Sequence, residues 1–254
     1  MILNFRTLGA GHPLIILHGI FGSSDNWQSQ AKVLAEKYKV YLVDLRNHGN
    51  SFHADEFHYG LMSNDILALM EAEGLSQASI LGHSMGGKVA MHVACRFPEK
   101  IRQLIVVDIA PRHYLPHHQQ IFEGFHSVQL SALKSRKEAD EQMAAKIGDF
   151  GVRQFILKNL YRNKEGQFSW KLNLSVIEKN IEQVGAALPE VYRFDKETLF
   201  IRGSKSDYIR DEDKATILKQ FPKASIETVT GAGHWVHAEK PADLLAMVTN
   251  FLLD

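Results

Sequence analysis

The stretch around Ser84 constrains the fold of this 254-residue chain more than any other feature. Residues 82–86 read Gly-His-Ser-Met-Gly, which matches the pattern G-x-S-x-G. The short apolar run at residues 78–81 predicts a buried strand, and apolar residues at helical spacing continue to Phe97, where Pro98 ends the helix. A strand, a tight turn and a helix are the context in which this motif lifts its serine above the edge of a sheet.

Crowding explains why the motif contains glycines. A serine at so sharp a turn is expected to have a strained backbone, with neighbouring chain pressed against it. Gly82, Gly86 and Gly87 remove the side chains that would collide there. The hydroxyl then lies at the amino end of a helix, where free N–H groups and the helix dipole favour negative charge. We therefore predict Ser84 as a nucleophile.

Alternating apolar runs and helical patterns predict an α/β fold with a mostly parallel sheet flanked by helices. The predicted strands lie at residues 2–8, 14–17, 40–43, 78–81, 101–107, 197–202 and 225–229. This alternation is lost between Pro111 and Phe194, where the pattern favours helices at 117–130, 135–147, 152–161 and 175–184, with an aromatic patch at 168–170. We interpret residues 1–110 and 195–254 as the core domain, and residues 111–194 as a helical cap inserted after the sixth core strand.

Composition excludes several classes of protein. Lys and Arg total 29, as do Asp and Glu, so the formal net charge is zero and a nucleic-acid partner is not expected. The single cysteine fits a reducing compartment, and we expect a cytoplasmic protein. No apolar run approaches the roughly 20 residues of a membrane helix. His113, His117 and His118 lack the spacing of a zinc site, so neither metal nor cofactor is expected.

A serine hydroxyl needs a base to remove its proton, an acid to orient that base, and donors for the oxyanion. The H-G-x-x-G loop at residues 18–22 follows a buried strand, and its glycines allow backbone N–H groups to face a substrate carbonyl. We choose the N–H groups of Ile20 and Met85 as the oxyanion donors. The general base is predicted to be His234, in a glycine-bracketed loop after the last strand, with His237 as a weaker candidate.

Two aspartates compete for the role of the acid. Asp108 follows the strand before the inserted segment, and Asp207 follows the strand after it. The carboxyl ends of parallel strands share one edge of the sheet, so either side chain could reach His234. The sequence leaves this choice open.

The motifs H-G-I-F-G-S-S-D-N-W, V-D-L-R-N-H-G-N-S, G-H-S-M-G-G-K, V-V-D-I-A-P and G-A-G-H-W-V-H-A-E-K-P resemble those of the α/β-hydrolase superfamily. Within it, they look like the subfamily of the bacterial esterase YbfF and its mitochondrial relatives. The resemblance implies a serine carboxylesterase or thioesterase that favours short acyl chains and needs no cofactor. The usual superfamily position favours Asp207 as the acid, while the subfamily makes Asp108 credible.

Two other classes of function stay open at this point. An intact triad could act on another bond, by carbon–carbon hydrolysis, perhydrolysis or an elimination like that of menaquinone synthesis. The chain could also be a catalytically silent member of the fold that binds a hormone or a protein partner. We expect a small-molecule ester or thioester substrate, and a monomer or weak homodimer.

Overall fold

The computed structural model describes residues 1–253 and contains a seven-stranded sheet. Its strands are β1 (Phe5–Leu8), β2 (His12–Leu17), β3 (Tyr38–Val43), β4 (Ala78–His83), β5 (Ile101–Val107), β8 (Thr198–Gly203) and β9 (Ala224–Val229). The order across the sheet is β1-β3-β2-β4-β5-β8-β9. Only β1, which pairs with β3, runs antiparallel in this sheet, so the predicted mostly parallel sheet is confirmed.

Helices cover both faces of the sheet. They are α1 (Gln28–Leu34), α2 (Tyr59–Ala72), α3 (Met85–Arg96), α9 (Asp213–Gln220), α10 (Val236–Glu239) and α11 (Pro241–Leu253). Neighbouring residues of β2 show the two layers: Ile15 packs in the hydrophobic cluster that includes residues of α2 and α3, and Ile16 packs in the cluster that includes residues of α1 and α11. This burial on both faces explains the continuous apolar runs of the sequence. No helix within residues 1–253 is long and apolar enough to cross a membrane.

The segment between β5 and β8 contains five helices and a hairpin. These elements are α4 (Gln119–Ser127), α5 (Arg136–Ala144), α6 (Phe150–Leu157), β6 (Leu160–Arg162), β7 (Phe168–Trp170), α7 (Leu174–Lys179) and α8 (Ile181–Gly185). The segment follows the fifth strand along the chain, so the predicted position after a sixth strand is wrong by one. The five stretches predicted as strands before residue 111 fold into β1 to β5, and no sixth strand lies among them.

A hairpin forms where the sequence predicts the end of a helix and an aromatic patch: β6 includes the last predicted helical residues, and the aromatic residues 168–170 form β7. Helix α6 ends at Leu157 rather than Tyr161, and β6 pairs antiparallel with β7. The turn between them has Gly166 in the left-handed region at φ 78° and an Asn163 side chain that accepts a hydrogen bond from the Gln167 N–H at 2.8 Å. Asn and Gly are the residues that stabilise such turns, and this local chemistry prevails over the helical spacing.

Candidate active site

Ser84 joins β4 to α3 in a strained backbone conformation, with φ 52° and ψ −120°. A Cβ on Gly82 would lie 2.1 Å from the carbonyl oxygen of Gly86, and one on Gly86 would lie 2.5 Å from the carbonyl oxygen of His18. Both distances are far shorter than any real contact, so only glycine fits these positions. The strand–turn–helix context, the strain and the crowding predicted from the motif are all confirmed.

His234 lies on the loop between β9 and α10, 150 residues from Ser84 along the chain, yet its Nε2 is 3.1 Å from the Ser84 Oγ. The Tyr208 ring stacks on the imidazole with a centroid distance of 3.8 Å and an interplanar angle of 18°. The His83 Nε2–H donates to the carbonyl oxygen of His234 at 2.9 Å. These contacts hold the imidazole beside the serine hydroxyl.

Asp108 supplies the carboxylate that meets His234. Its side chain is fully buried, and Oδ2 accepts a hydrogen bond from His234 Nδ1 at 2.7 Å. The Gly203 N–H donates to Oδ1 at 3.0 Å, and the Ser206 hydroxyl donates to Oδ2. Because an ionised carboxylate only accepts, the His234 proton lies on Nδ1, which leaves Nε2 free to accept the proton of Ser84.

The structure does not bring Asp207 to His234. Asp207 is exposed, its carbonyl oxygen accepts from Arg112 Nη2 at 3.0 Å, and its carboxylate takes part in no hydrogen bond within residues 1–253. The loop after β8 instead turns Ser206 toward Asp108. The sequence has no signal that separates the inward serine from the outward aspartate next to it.

The weaker candidate His237 lies at the wall of the site. Its ring stacks on Trp27 at 4.6 Å and 13°, and burial together with nearby His234 lowers its pKa to about 3. A neutral ring packed in this way lines the cavity, while the hydrogen bond to Ser84 comes from His234.

The H-G-x-x-G loop forms a tight turn against the serine. The Gly22 N–H donates to the Gly19 carbonyl at 3.1 Å, and Phe21 has φ 60°. The Phe21 N–H donates to His48 Nε2 at 3.3 Å. The Ile20 N–H, by contrast, has no acceptor in the described part of the chain. Met85 is the first residue of α3, so its N–H has no partner within the helix. These two N–H groups are therefore available to an oxyanion.

Buried neutral histidines support that loop. His18 Nε2 accepts from the Leu45 N–H at 3.0 Å, and burial lowers the pKa of His18. Burial also lowers the pKa of His48 to about 3, because desolvation disfavours the charged ring. Neutral imidazoles can accept hydrogen bonds from backbone N–H groups, and both rings do so here.

A further support that the sequence reasoning missed is Glu239. Its carboxylate accepts from the N–H groups of Gly233 at 2.8 Å and Trp235 at 3.3 Å, on either side of His234. The only sequence signal is an acidic residue five positions after the histidine, at the end of the short helix α10.

A cavity of about 270 Å³ opens beside Ser84 and His234. Its lining includes Trp27, Phe155 and Trp235, and none of its lining residues is Lys, Arg, Asp or Glu. Within residues 1–253, no group of three or more His, Cys, Asp or Glu side chains is placed to hold a metal ion. The arrangement can activate a hydroxyl next to a largely apolar cavity that has no Lys, Arg, Asp or Glu in its lining.

The sequence and the fold are similar to those of known hydrolases and esterases. Residues 12–241 match the family model described as the alpha/beta hydrolase fold. The chain is 38% identical over 240 residues to a putative esterase/lipase of Haemophilus influenzae, covering 94% of this chain and 82% of that protein. It is 33% identical over 260 residues to esterase YbfF of Escherichia coli, covering 100% of both. A solved esterase from a marine microorganism superposes with a TM-score of 0.95 at 40% identity, covering 98% of this chain and 99% of that one. The resemblance predicted from the motifs is thus confirmed: the chain belongs to the α/β-hydrolase fold family.

Proposed function

We propose that this protein is a serine carboxylic ester hydrolase in which Ser84 is the nucleophile, His234 the general base and Asp108 the acid that orients it. The observation that carries the proposal is the continuous line of hydrogen bonds from Asp108 through His234 to Ser84, at 2.7 and 3.1 Å. Relatives with the names esterase/lipase and esterase YbfF support the carboxylic ester as the substrate class.

In the first half of the reaction, Ser84 Oγ attacks the ester carbonyl while His234 Nε2 removes its proton. The carbonyl oxygen becomes negative and is bound by the N–H groups of Ile20 and Met85. His234 then gives the proton to the leaving oxygen, the bond to the alcohol breaks, and an acyl-serine remains. Asp108 stabilises the imidazolium that exists between these two transfers.

In the second half, water enters the site vacated by the alcohol. His234 Nε2 removes a proton from this water, the hydroxide attacks the acyl carbonyl, and the same N–H groups bind the second oxyanion. The carboxylic acid leaves and Ser84 regains its proton from His234. A thioester follows the same course with a thiol as the leaving group, so thioesterase activity is part of the proposal.

We also propose that residues 111–194 act as a cap over the core formed by residues 1–110 and 195–254. Support comes from the cavity at Ser84, whose lining includes His117, Ile121 and Phe155 of the inserted segment. A covering segment excludes water from the reaction and shapes the substrate site. The cytoplasmic location and the monomer or weak homodimer stay predictions from the sequence.

Hydrolysis of p-nitrophenyl acetate and of an acetyl thioester tests the proposal. We expect turnover by the wild type and a loss of about 10,000-fold or more in Ser84→Ala, because the residual rate without the nucleophile comes only from binding and the oxyanion donors. Ser79→Ala in β4, the strand that leads to Ser84, is the matched control and retains activity. Turnover that survives Ser84→Ala, or a wild type inactive on every ester and thioester, contradicts the proposal and favours a binding protein.

A further inference from the structure

Two cavities meet at Ser84 and differ in what surrounds them. The larger one, of about 270 Å³, reaches His234 and Trp235. The smaller one, of about 20 Å³, reaches Met85 and is lined on another side by the inserted segment, including Val184. His234 is absent from the residues that line the smaller cavity within the described part of the chain.

The chemistry of ester cleavage assigns a different part of the substrate to each cavity. The leaving alcohol must be next to the group that protonates it, which is His234 in the proposed mechanism, and His234 lines only the larger cavity. The carbonyl oxygen of the substrate binds the N–H groups of Ile20 and Met85, and both residues line the smaller cavity. The acyl chain attached to that carbonyl therefore extends into the smaller cavity.

The smaller cavity has room for very little. A cavity needs about 10–15 Å³ to hold a single water molecule. The smaller cavity, of about 20 Å³, therefore accepts one methyl group or, with slight adjustment, an ethyl group. The aliphatic side chains of Ile109, Ile181 and Val184 form part of its wall and suit a methyl group, and the remaining wall includes tyrosine and histidine rings.

The wall formed by α8 is also held in place. The Tyr59 hydroxyl on α2 donates to the carbonyl oxygen of Val184 at 2.6 Å, and the Tyr114 N–H donates to that of Gly185 at 2.8 Å. A Cβ on Gly185 would lie 2.1 Å from the Tyr114 carbonyl oxygen, so the two chain segments are already in close contact. This wall cannot retreat easily from a longer acyl chain.

Lys88, one helical turn after Ser84, connects the wall formed by α8 to the core through hydrogen bonds. It is fully buried, and its Nζ donates to the carbonyl oxygens of Ala186 and Arg112 at 2.6 Å each. These oxygens belong to the two chain segments that connect the inserted residues to the core. The helix that carries the nucleophile therefore also sets the position of the acyl wall.

The larger cavity differs in size and in its aromatic walls. Trp27, Phe155 and Trp235 line it and do not line the smaller cavity, and none of its lining residues is Lys, Arg, Asp or Glu. Burial lowers the pKa of His118 and of His237 to about 3 each, so these two rings add no charge. Such a cavity suits a bulky uncharged group.

Given the proposed ester hydrolase function, we infer that the natural substrates are acetyl esters, or at most propionyl esters, of bulky uncharged alcohols. The acetyl methyl occupies the small cavity and the alcohol occupies the large one. Attack forms the bond from Ser84 Oγ to the acetyl carbon and releases the alcohol with the proton from His234; water then releases acetate and restores the serine.

Two substrate series separate the two cavities. The first is p-nitrophenyl acetate, propionate, butyrate and hexanoate, and the second is ethyl, benzyl and 2-naphthylmethyl acetate, whose alcohols are leaving groups of similar basicity. We expect kcat/KM to fall about 10-fold or more from acetate to butyrate, because a methylene that fits poorly costs about 10- to 200-fold. Within the acetates, kcat/KM should rise from ethyl to 2-naphthylmethyl.

Matched variants then identify the walls. Val184→Ala and Ile181→Ala, which enlarge the small cavity, should raise the butyrate-to-acetate ratio by about 10-fold. Phe155→Ala in the large cavity should weaken the preference for 2-naphthylmethyl acetate over ethyl acetate and leave the butyrate-to-acetate ratio unchanged. An unaltered ratio in both small-cavity variants, or a wild type that prefers hexanoate, overturns the inference while the ester hydrolase stands. A wild type inactive on all of these esters overturns both.

Discussion

Replacing Asp108 with asparagine tests the part of the site that the sequence left open. The change keeps the size of the side chain, and the amide oxygen can still accept from the Gly203 N–H, now at 3.0 Å. The amide nitrogen, however, faces His234 Nδ1, where two donors cannot pair. We expect His234 to move its proton to Nε2, the atom that must accept the proton of Ser84.

The size of the loss follows from the burial and the distance. A hydrogen bond of 2.7 Å between Asp108 and His234 places the two charge centres roughly 4 Å apart when the imidazolium forms, and their attraction is about 4 kcal/mol at an effective dielectric constant of about 20. Losing that attraction slows the reaction about 1,000-fold. The wrong tautomer raises the loss toward about 10,000-fold.

The assay is kcat on p-nitrophenyl acetate, measured with the fold checked by urea unfolding. Asp207→Asn is the matched control and should stay within about twofold of the wild type, because its carboxylate is exposed and takes part in no hydrogen bond of the described residues. A large loss in Asp207→Asn, or only mild losses in both variants, would refute the assignment of Asp108.

Three further predictions concern stability and positioning. Burial lowers the pKa of Lys88 to about 7, so between about pH 7 and pH 10 the unfolded chain binds a proton that the folded chain releases. The free energy of unfolding should therefore gain up to about 1.4 kcal/mol per pH unit from this group, and Lys88→Met should remove that gain in urea titrations; parallel pH profiles would contradict it. Gly82→Ala should unfold the protein or destabilise it by about 3 kcal/mol or more, because the added Cβ would collide with backbone atoms. Gly148→Ala has open space around the added Cβ and should be close to neutral; equal urea midpoints for the two variants would contradict this prediction. Tyr208→Leu should lower kcat up to about 10-fold, because it removes the ring that stacks on His234. Tyr208→Phe keeps the ring and should retain most of the wild-type kcat; equal losses in the two variants would point to the hydroxyl instead.

Much of the core could be predicted because it depends on local patterns. The apolar runs of β2 to β5 reflect burial on both faces, which any buried parallel strand requires. The elbow at Ser84 could be predicted because a turn this tight has no room for side chains at positions 82 and 86, and the sequence has glycine at both. The position of His234 beside Ser84 could be predicted because the end of the last parallel strand lies at the same edge of the sheet as the elbow.

The rest depends on loop geometry that no local pattern encodes. Asp108 and Asp207 both follow strands, and what separates them is the turn after β8 that points Ser206 inward. The β6–β7 hairpin was missed because the spacing at 152–161 suits a helix until Asn163 and Gly166 are read as a turn. The walls of the small cavity come from long-range contacts such as Tyr59 with Val184, 125 residues apart.

The rate of Ser84 labelling by a fluorophosphonate probe tests most directly whether the imidazole activates the hydroxyl across 3.1 Å. We predict that Ser84 is the single residue modified, identified by peptide mass spectrometry, and that His234→Ala slows its labelling at least about 100-fold while His237→Ala does not. Labelling of Ser84 at the same rate without His234, or labelling at another residue, would contradict the account.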